Sequence, residues 1–141
     1  TKVPETWLME YVNVTSGNQT VPTATVRLRK AASGRAKKDV VLEDAGVGDG
    51  PVDAALKAID RLTETHGRLK DYALRGVSQG KDALGEVRLK VDFGDGELIN
   101  GKGASTDVIE ASAKAYLNAV NRYLSNKRRK KTAKKKAKGQ P

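Results

Sequence analysis

The chain has 141 residues, of which 38% are hydrophobic and 4% aromatic, which suits one domain with a modest core. It contains no cysteine, and this excludes disulfides, thiolate metal sites and cysteine nucleophiles. No apolar run approaches the length that spans a membrane, and no charged-then-apolar signal segment opens the chain. We therefore expect a cytoplasmic protein without a membrane partner.

The net charge of +10 is concentrated at one end of the chain. Residues 127–138, KRRKKTAKKKAK, contain nine Lys or Arg and no acid. Removing those nine from the 27 basic residues leaves 18, against 17 acidic ones. We predict a disordered basic tail over 127–141 that contacts polyanions only non-specifically. Residues 1–6 are a lead-in, and residues 7–126 form the folded body.

The first half of the body, residues 7–67, reads as three strands and a helix. Strands are predicted over 7–15, 23–30 and 38–45 from alternating apolar and polar residues. In the first strand, Trp7, Met9 and Tyr11 are expected to share one face. The turn Gly48-Asp49-Gly50 then precedes Pro51, which suits a first helical position. The helix has an apolar face and is expected to end near His66-Gly67.

The second half, residues 68–126, repeats this order. Strands are predicted over 69–78, 85–93 and 97–100, and Gly101 to Ala104 is interpreted as an echo of the first glycine turn. Ser105 or Thr106 is expected to cap a longer helix. The fold class is therefore α+β: two βββα units with antiparallel sheets, packed together about a pseudo-twofold axis because neither half can bury a core alone.

Several segments together resemble the C-terminal regulatory (LeuA-type) domain of 2-isopropylmalate synthase and the related citramalate synthases. They are SGN at 16–18, PTATVRLR at 22–29, GDGPVDAALKAIDRL at 48–62, LKDYALRGVSQGKDALGEVRLKV at 69–91 and GKGASTDVIEASAKAYLNAVNR at 101–122. The resemblance implies a non-catalytic domain, without cofactor or metal, that binds leucine, or next isoleucine, for feedback inhibition. It also implies a homodimer and, as partner, the catalytic barrel of the parent enzyme, which is absent here.

The resemblance also implies an effector pocket. Its residues would come from the first glycine turn and helix, and from the strand and turn that open the second half: Gly48, Asp49, Gly50, Val52, Asp53, Leu56, Leu69, Tyr72, Gly76, Ala83 and Gly85. Helix N–H groups can meet a carboxylate, and apolar side chains can enclose a branched aliphatic chain.

Two other classes of function are compatible with parts of the sequence. The stretch GKGASTDVIEASAKAYLNAV is similar to the last helix of a double-stranded-RNA-binding domain, and an RNA-binding module would use this helix start and the basic tail. However, Asp107 stands where phosphate-binding lysines would be needed. An enzyme is disfavoured because the sequence has one histidine and no nucleophile–base set at a usable spacing.

Overall fold

The computed structural model describes residues 3–76 and 83–139. Its elements follow the predicted order, with two antiparallel three-stranded sheets, β1-β2-β3 and β4-β5-β6, each followed by a helix. The α+β fold of two βββα units is thus confirmed. The elements are β1 (Trp7–Gly17), β2 (Thr20–Lys30), β3 (Val40–Val47), α1 (Pro51–Thr63), β4 (Arg68–Gly76), β5 (Gly85–Asp92), β6 (Leu98–Ser105) and α2 (Val108–Lys138).

The two halves share one hydrophobic core. Val26 and Ile59 of the first half and Val91 and Tyr116 of the second belong to the same buried cluster. A buried asparagine also ties the halves together: the Trp7 backbone N–H donates to Asn121 Oδ1 at 3.0 Å, and Asn121 Nδ2 donates to the Trp7 carbonyl at 2.9 Å. The start of β1 is therefore fixed to α2.

A bulge repeats at the same place in both halves. The register shifts between Met9 and Tyr11 in β1 and between Leu69 and Asp71 in β4. Beyond the bulge, Val12 rather than Tyr11 pairs on the core side, opposite the buried Val26. The expected shared face of Trp7, Met9 and Tyr11 is therefore wrong, because an extra residue reverses the alternation.

The second glycine pair is not a turn before a helix. Gly101 and Gly103 lie within β6, which continues to Ser105. A β-carbon on Gly103 would lie 2.5 Å from the Ala115 nitrogen, and one on Gly101 would overlap the Ala115 carbonyl oxygen. These glycines let α2 approach the strand closely, as Gly46 of β3 does for α1, where a β-carbon would lie 2.7 Å from the Ala58 nitrogen.

The start of α1 at Pro51 is as predicted, but the end of α1 and the cap of α2 differ from their predictions. Helix α1 ends at Thr63 with Glu64 in the left-handed conformation, at φ 56°, rather than at His66-Gly67. Helix α2 is capped by Asp107, whose side chain accepts from the backbone N–H groups of Ile109 and Glu110. Neither Ser105 nor Thr106 is the cap, since β6 runs through the first of them.

The basic segment also differs from its prediction. Where the sequence predicts disorder from Lys127, α2 continues unbroken to Lys138. Lys, Arg and Ala are strong helix formers, and cations near a helix C-terminus interact favourably with its dipole. Helical continuity from the packed part of α2 removes the cost of nucleating this segment.

Candidate functional site

The turn before α1 is held together by Asp53. The Asp49 backbone N–H donates to Asp53 Oδ2 at 2.9 Å, and Lys57 Nζ lies 3.0 Å from the same oxygen. Gly48 has to be small, because a β-carbon there would lie 2.5 Å from that oxygen. Gly50 is the N-cap in extended conformation, with no side-chain cap and open space at its β-position.

Asp53 is a charged group at this turn. Partial burial alone would raise the pKa of its carboxyl, but the hydrogen bond from Asp49 and the contact with Lys57 outweigh that effect and hold the pKa below its ordinary value. The carboxylate is thus ionised at neutral pH beside the first turn of α1. An ammonium group could be bound here, and the first-turn N–H groups of α1 can meet an anion.

The two apolar residues predicted on α1 belong to the core. Leu56 is only 8% exposed, and Val52 is half-buried against the same cluster. Their side chains can form the floor of a pocket at this end of the helix but do not line open space on their own.

Strand β4 is exposed along its whole length. All nine of its residues are exposed. Three of them, Leu69, Tyr72 and Leu74, nevertheless belong to the core-facing side of the sheet, because their partners on β5 are the buried Val91, Leu89 and Val87. Their counterparts on β1, Met9, Val12 and Val14, are partly buried against the core clusters. The core-facing side of β4 in the second half is therefore uncovered, whereas the equivalent side of β1 in the first half is partly buried.

Tyr72 is oriented by the start of α2. Its hydroxyl lies 2.7 Å from Ser112 Oγ, and Ser112 Oγ donates to the Val108 carbonyl at 2.7 Å. Because serine has a single hydroxyl hydrogen, Tyr72 is the donor in the first of these bonds. The ring thus stands against the first turns of α2 while remaining 37% exposed.

The remaining predicted residues lie at one end of β4 and β5. Gly76 pairs with Gly85, and a β-carbon on Gly85 would lie 3.2 Å from the Leu74 side chain. Ala83 is exposed and lies just before β5. The predicted turn around 79–82 and the end of the predicted strand at 77–78 lie outside the described residues.

The structure does not join the two groups of predicted residues within one chain. In the described part of the chain, α1 packs against β1, β2, β3 and α2. The backbone of β4 approaches only that of β5, and Tyr72 adds a side-chain contact with α2, so β4 does not meet α1. A cavity of about 950 Å³ lies elsewhere, and residues such as Lys57, Arg61, Arg68 and Asp92 line it. None of the predicted effector residues borders that cavity.

Two exposed residues at or near this face were missed by sequence reasoning. They are Leu74 of β4 and Val108 at the start of α2. The alternation Tyr72-Ala73-Leu74 does place Leu74 on the side of Tyr72, so this residue could have been found. Nothing in the sequence predicts that Val108 lies near β4, because this proximity depends on how the start of α2 packs beside the strand.

A second feature that the sequence did not indicate is a polar cluster between the helices. Asp60 accepts hydrogen bonds from the hydroxyls of Tyr116, at 2.5 Å, and Thr65, at 2.8 Å, and from the Gly67 backbone N–H at 3.3 Å. A side chain on Gly67 would overlap the Tyr116 hydroxyl. Gly67 is therefore required for the bond that connects α1 to α2.

Burial governs the titration of this cluster. Burial raises the pKa of the Asp60 carboxyl above its ordinary value, although the bonds from Tyr116 and Thr65 act in the opposite direction. Burial, followed by the neighbouring carboxylate, raises the pKa of Tyr116 far above its ordinary value. The phenol is consequently protonated at neutral pH and donates its hydrogen bond to Asp60.

The raised pKa of Asp60 predicts a pH-dependent contribution to stability. The folded state holds the Asp60 proton more tightly than the unfolded state, so this contribution is fully present below the unfolded pKa, about 3.9. It is lost as pH rises through the folded pKa. Urea unfolding of the wild type and of Asp60→Asn, followed from pH 3.5 upward, should show the difference in unfolding free energy falling with pH. A difference that rises with pH would contradict the assignment.

The described residues contain neither a cluster of metal ligands nor a membrane-spanning helix. Within 3–76 and 83–139, no group of three His, Asp or Glu side chains could hold a metal ion. In the same residues, no helix combines the length and the apolar character needed to cross a bilayer.

Paired βββα units around one core, with one apolar strand face left open, define a small α+β domain suited to association with another chain. The chain belongs to the LeuA allosteric (dimerisation) domain family, whose model matches residues 1–124. Its role is thus regulatory, and the match concerns the allosteric domain rather than a catalytic part.

The relatives are similar over the same region. The chain is 51% identical over 123 residues to the 2-isopropylmalate synthase of Methylacidiphilum infernorum, covering 87% of this chain and 23% of the relative. It is 47% identical over 123 residues to that of Carboxydothermus hydrogenoformans, with the same coverage, 87% and 23%. It is 49% identical over 121 residues to that of Heliobacterium modesticaldum, covering 86% and 22%. The chain thus spans less than a quarter of the length of these relatives.

The RNA-binding alternative finds no support. Gly101 to Ser105 form a strand and not a helix start, and the helix cap is the acidic Asp107.

Proposed function

We propose that this domain binds a branched-chain amino acid, leucine in the first place and isoleucine next, and thereby inhibits a 2-isopropylmalate synthase of leucine biosynthesis. The inhibited activity would reside in a catalytic barrel belonging to the same enzyme. Family membership and the names of the relatives support this proposal. The observation that carries it in the structure is the open face of β4, on which Leu69 and Tyr72 lie exposed.

The two groups of predicted effector residues suit different parts of an amino acid. The turn before α1 offers helix N–H groups to the carboxylate and the ionised Asp53 to the ammonium group. The β4 face offers Leu69 and Tyr72 to the aliphatic side chain.

A second copy of the chain would complete such a pocket. Since α1 and β4 do not pack together in the described chain, a complete pocket requires another surface over β4. A homodimer with β4 at its interface supplies that surface. An effector bound there shifts the parent enzyme only to the extent that it binds the two states with different affinity.

Calorimetry tests this function directly. Titrations of the full chain with leucine, isoleucine and valine should show saturable binding of one of the first two. Leucine and isoleucine differ only in the position of one methyl group, so we expect a preference of about 10- to 200-fold. No binding of any of the three amino acids would contradict the proposal.

The variant Gly50→Trp tests whether the turn before α1 belongs to the effector site. Open space at its β-position means that a large side chain can be added without overlapping the fold, and the indole would then cover the helix start. We expect binding to be lost while the melting temperature is nearly unchanged. Ala104→Trp places the same side chain at an exposed position of β6 and should leave binding intact. Equal binding by the wild type and Gly50→Trp would show that this turn is not part of the site.

A further inference from the structure

The last part of α2, residues 127–138, is a basic extension that lies beyond the region matched by the family. The family match ends at residue 124. The extension contains nine Lys or Arg and no acid, and residues 127–137 are all exposed. It is about 18 Å long at 1.5 Å per residue, so its cations are spaced about 2 Å apart along the axis. Double-stranded DNA carries a negative charge about every 1.7 Å.

The base of the extension is attached to the body. Lys130 Nζ lies 2.7 Å from Glu97 Oε2, and Arg128 Nη2 donates to Thr6 Oγ1 at 2.9 Å. The Lys127 ammonium lies 5.7 Å from the centre of the Tyr123 ring. These contacts and the continuity of α2 make the extension project from the body in a defined direction.

The lysines further along are not engaged. Within the described residues, Lys131, Lys134, Lys135 and Lys136 have no ion-pair or hydrogen-bond partner on their side chains. Lys131, Lys134 and Lys135 follow i, i+3, i+4 spacing and so lie on one side of the helix. Like charges at this spacing repel each other, and a polyanion would relieve that repulsion while releasing its own counterions.

The composition of the extension distinguishes between polyanions. Its uncharged residues are only Thr132, Ala133 and Ala137, which do not make the large apolar face of a helix that inserts into a membrane surface. It has no aromatic side chain on which single-stranded bases could stack. An α-helix fits the major groove of B-form DNA, about 12 Å wide, whereas the major groove of A-form RNA is deep and narrow.

We propose that the basic extension binds double-stranded DNA through its phosphates, without sequence preference. The folded body is nearly neutral, with 18 basic and 17 acidic residues, so the extension supplies almost the entire attraction. If the four unengaged lysines each contact a phosphate, the logarithm of affinity falls with the logarithm of salt at a slope of about −3.6, or about 150-fold between 50 and 200 mM.

Fluorescence anisotropy of the full chain with a labelled 20-base-pair duplex tests the proposal. The triple variant Lys131→Glu, Lys134→Glu, Lys135→Glu should bind at least about 50-fold more weakly at 50 mM salt, with a shallower salt slope. The matched control is Lys37→Glu, Lys38→Glu, Lys90→Glu, which makes the same change in net charge at exposed positions of the body. It should retain binding within about threefold and keep the slope.

Three outcomes would overturn the proposal. They are equal losses in the triple variant and the control, binding that depends on duplex sequence, and tighter binding to vesicles containing phosphatidylserine or to duplex RNA than to duplex DNA. Circular dichroism of both variants checks that the helical content is unchanged.

Discussion

Replacing Gly101 with alanine is expected to lower the free energy of unfolding by about 3 kcal/mol. The added methyl group would overlap the Ala115 carbonyl oxygen and lie 2.9 Å from the Ala119 β-carbon. Both atoms belong to α2, which packs on β6, and neither can move aside as the end of a flexible side chain would. The helix must therefore shift away from the sheet, and this shift disturbs the core that both halves share.

Urea unfolding at a fixed protein concentration measures this effect, since a dimer's stability depends on concentration. Gly76→Ala is the matched control: it is also a strand glycine, but a β-carbon there has nothing within 4 Å. The control should be unchanged or more stable by up to about 1 kcal/mol, because alanine reduces the entropy of the unfolded chain. Equal stability of the two variants would show that α2 is not in close contact with Gly101.

The same glycines show what the sequence could and could not predict. Alternating apolar residues predicted six strands in the correct order, and helical periodicity predicted both helices. Gly48 and Gly50 were correctly placed before α1, but Gly101 and Gly103 were assigned the same role because both pairs read Gly-x-Gly. A glycine that permits a turn and one that permits close helix packing are identical in sequence, and only the packed helix distinguishes them.

Other differences arise from single residues whose effect depends on the fold. The bulges at Glu10 and Lys70 reverse the alternation of β1 and β4, and no local signal marks them. The cap at Asp107 rather than Ser105 follows from the length of β6. Charge repulsion within the tail predicts disorder, but the packed helix that precedes the tail allows it to continue as helix without a new nucleation step.

For the effector site, the structure shows where the predicted residues lie, whereas their role in binding an amino acid stays a prediction. The turn at Gly48 to Gly50 and the strand carrying Leu69 and Tyr72 are both present, yet they lie on elements that do not pack together. A site that a second chain completes cannot be predicted from one sequence. An apolar interface residue such as Leu74 has the same sequence pattern as a core residue. Its exposure becomes informative only once the sheet is known.

Leu74→Glu is expected to abolish the proposed dimer. Leu74 is 48% exposed on the core-facing side of β4, beside Tyr72. In a twofold interface each substitution occurs twice, so the variant introduces two carboxylates into an apolar contact. Loss of the apolar side chains and burial of unpaired charges should weaken association by at least about 1,000-fold, or about 4 kcal/mol.

Sedimentation velocity over a concentration series measures this change, and the wild type should be dimeric where the variant is monomeric. Val41→Glu is the matched control, because Val41 is 45% exposed on the outward side of β3 and should leave the dimer intact. Because the effector pocket is proposed to need the second chain, Leu74→Glu should also lose amino-acid binding while keeping its circular dichroism spectrum. If it remained dimeric, β4 would not be the interface. If it became monomeric and still bound the amino acid at full affinity, the pocket would be complete within one chain.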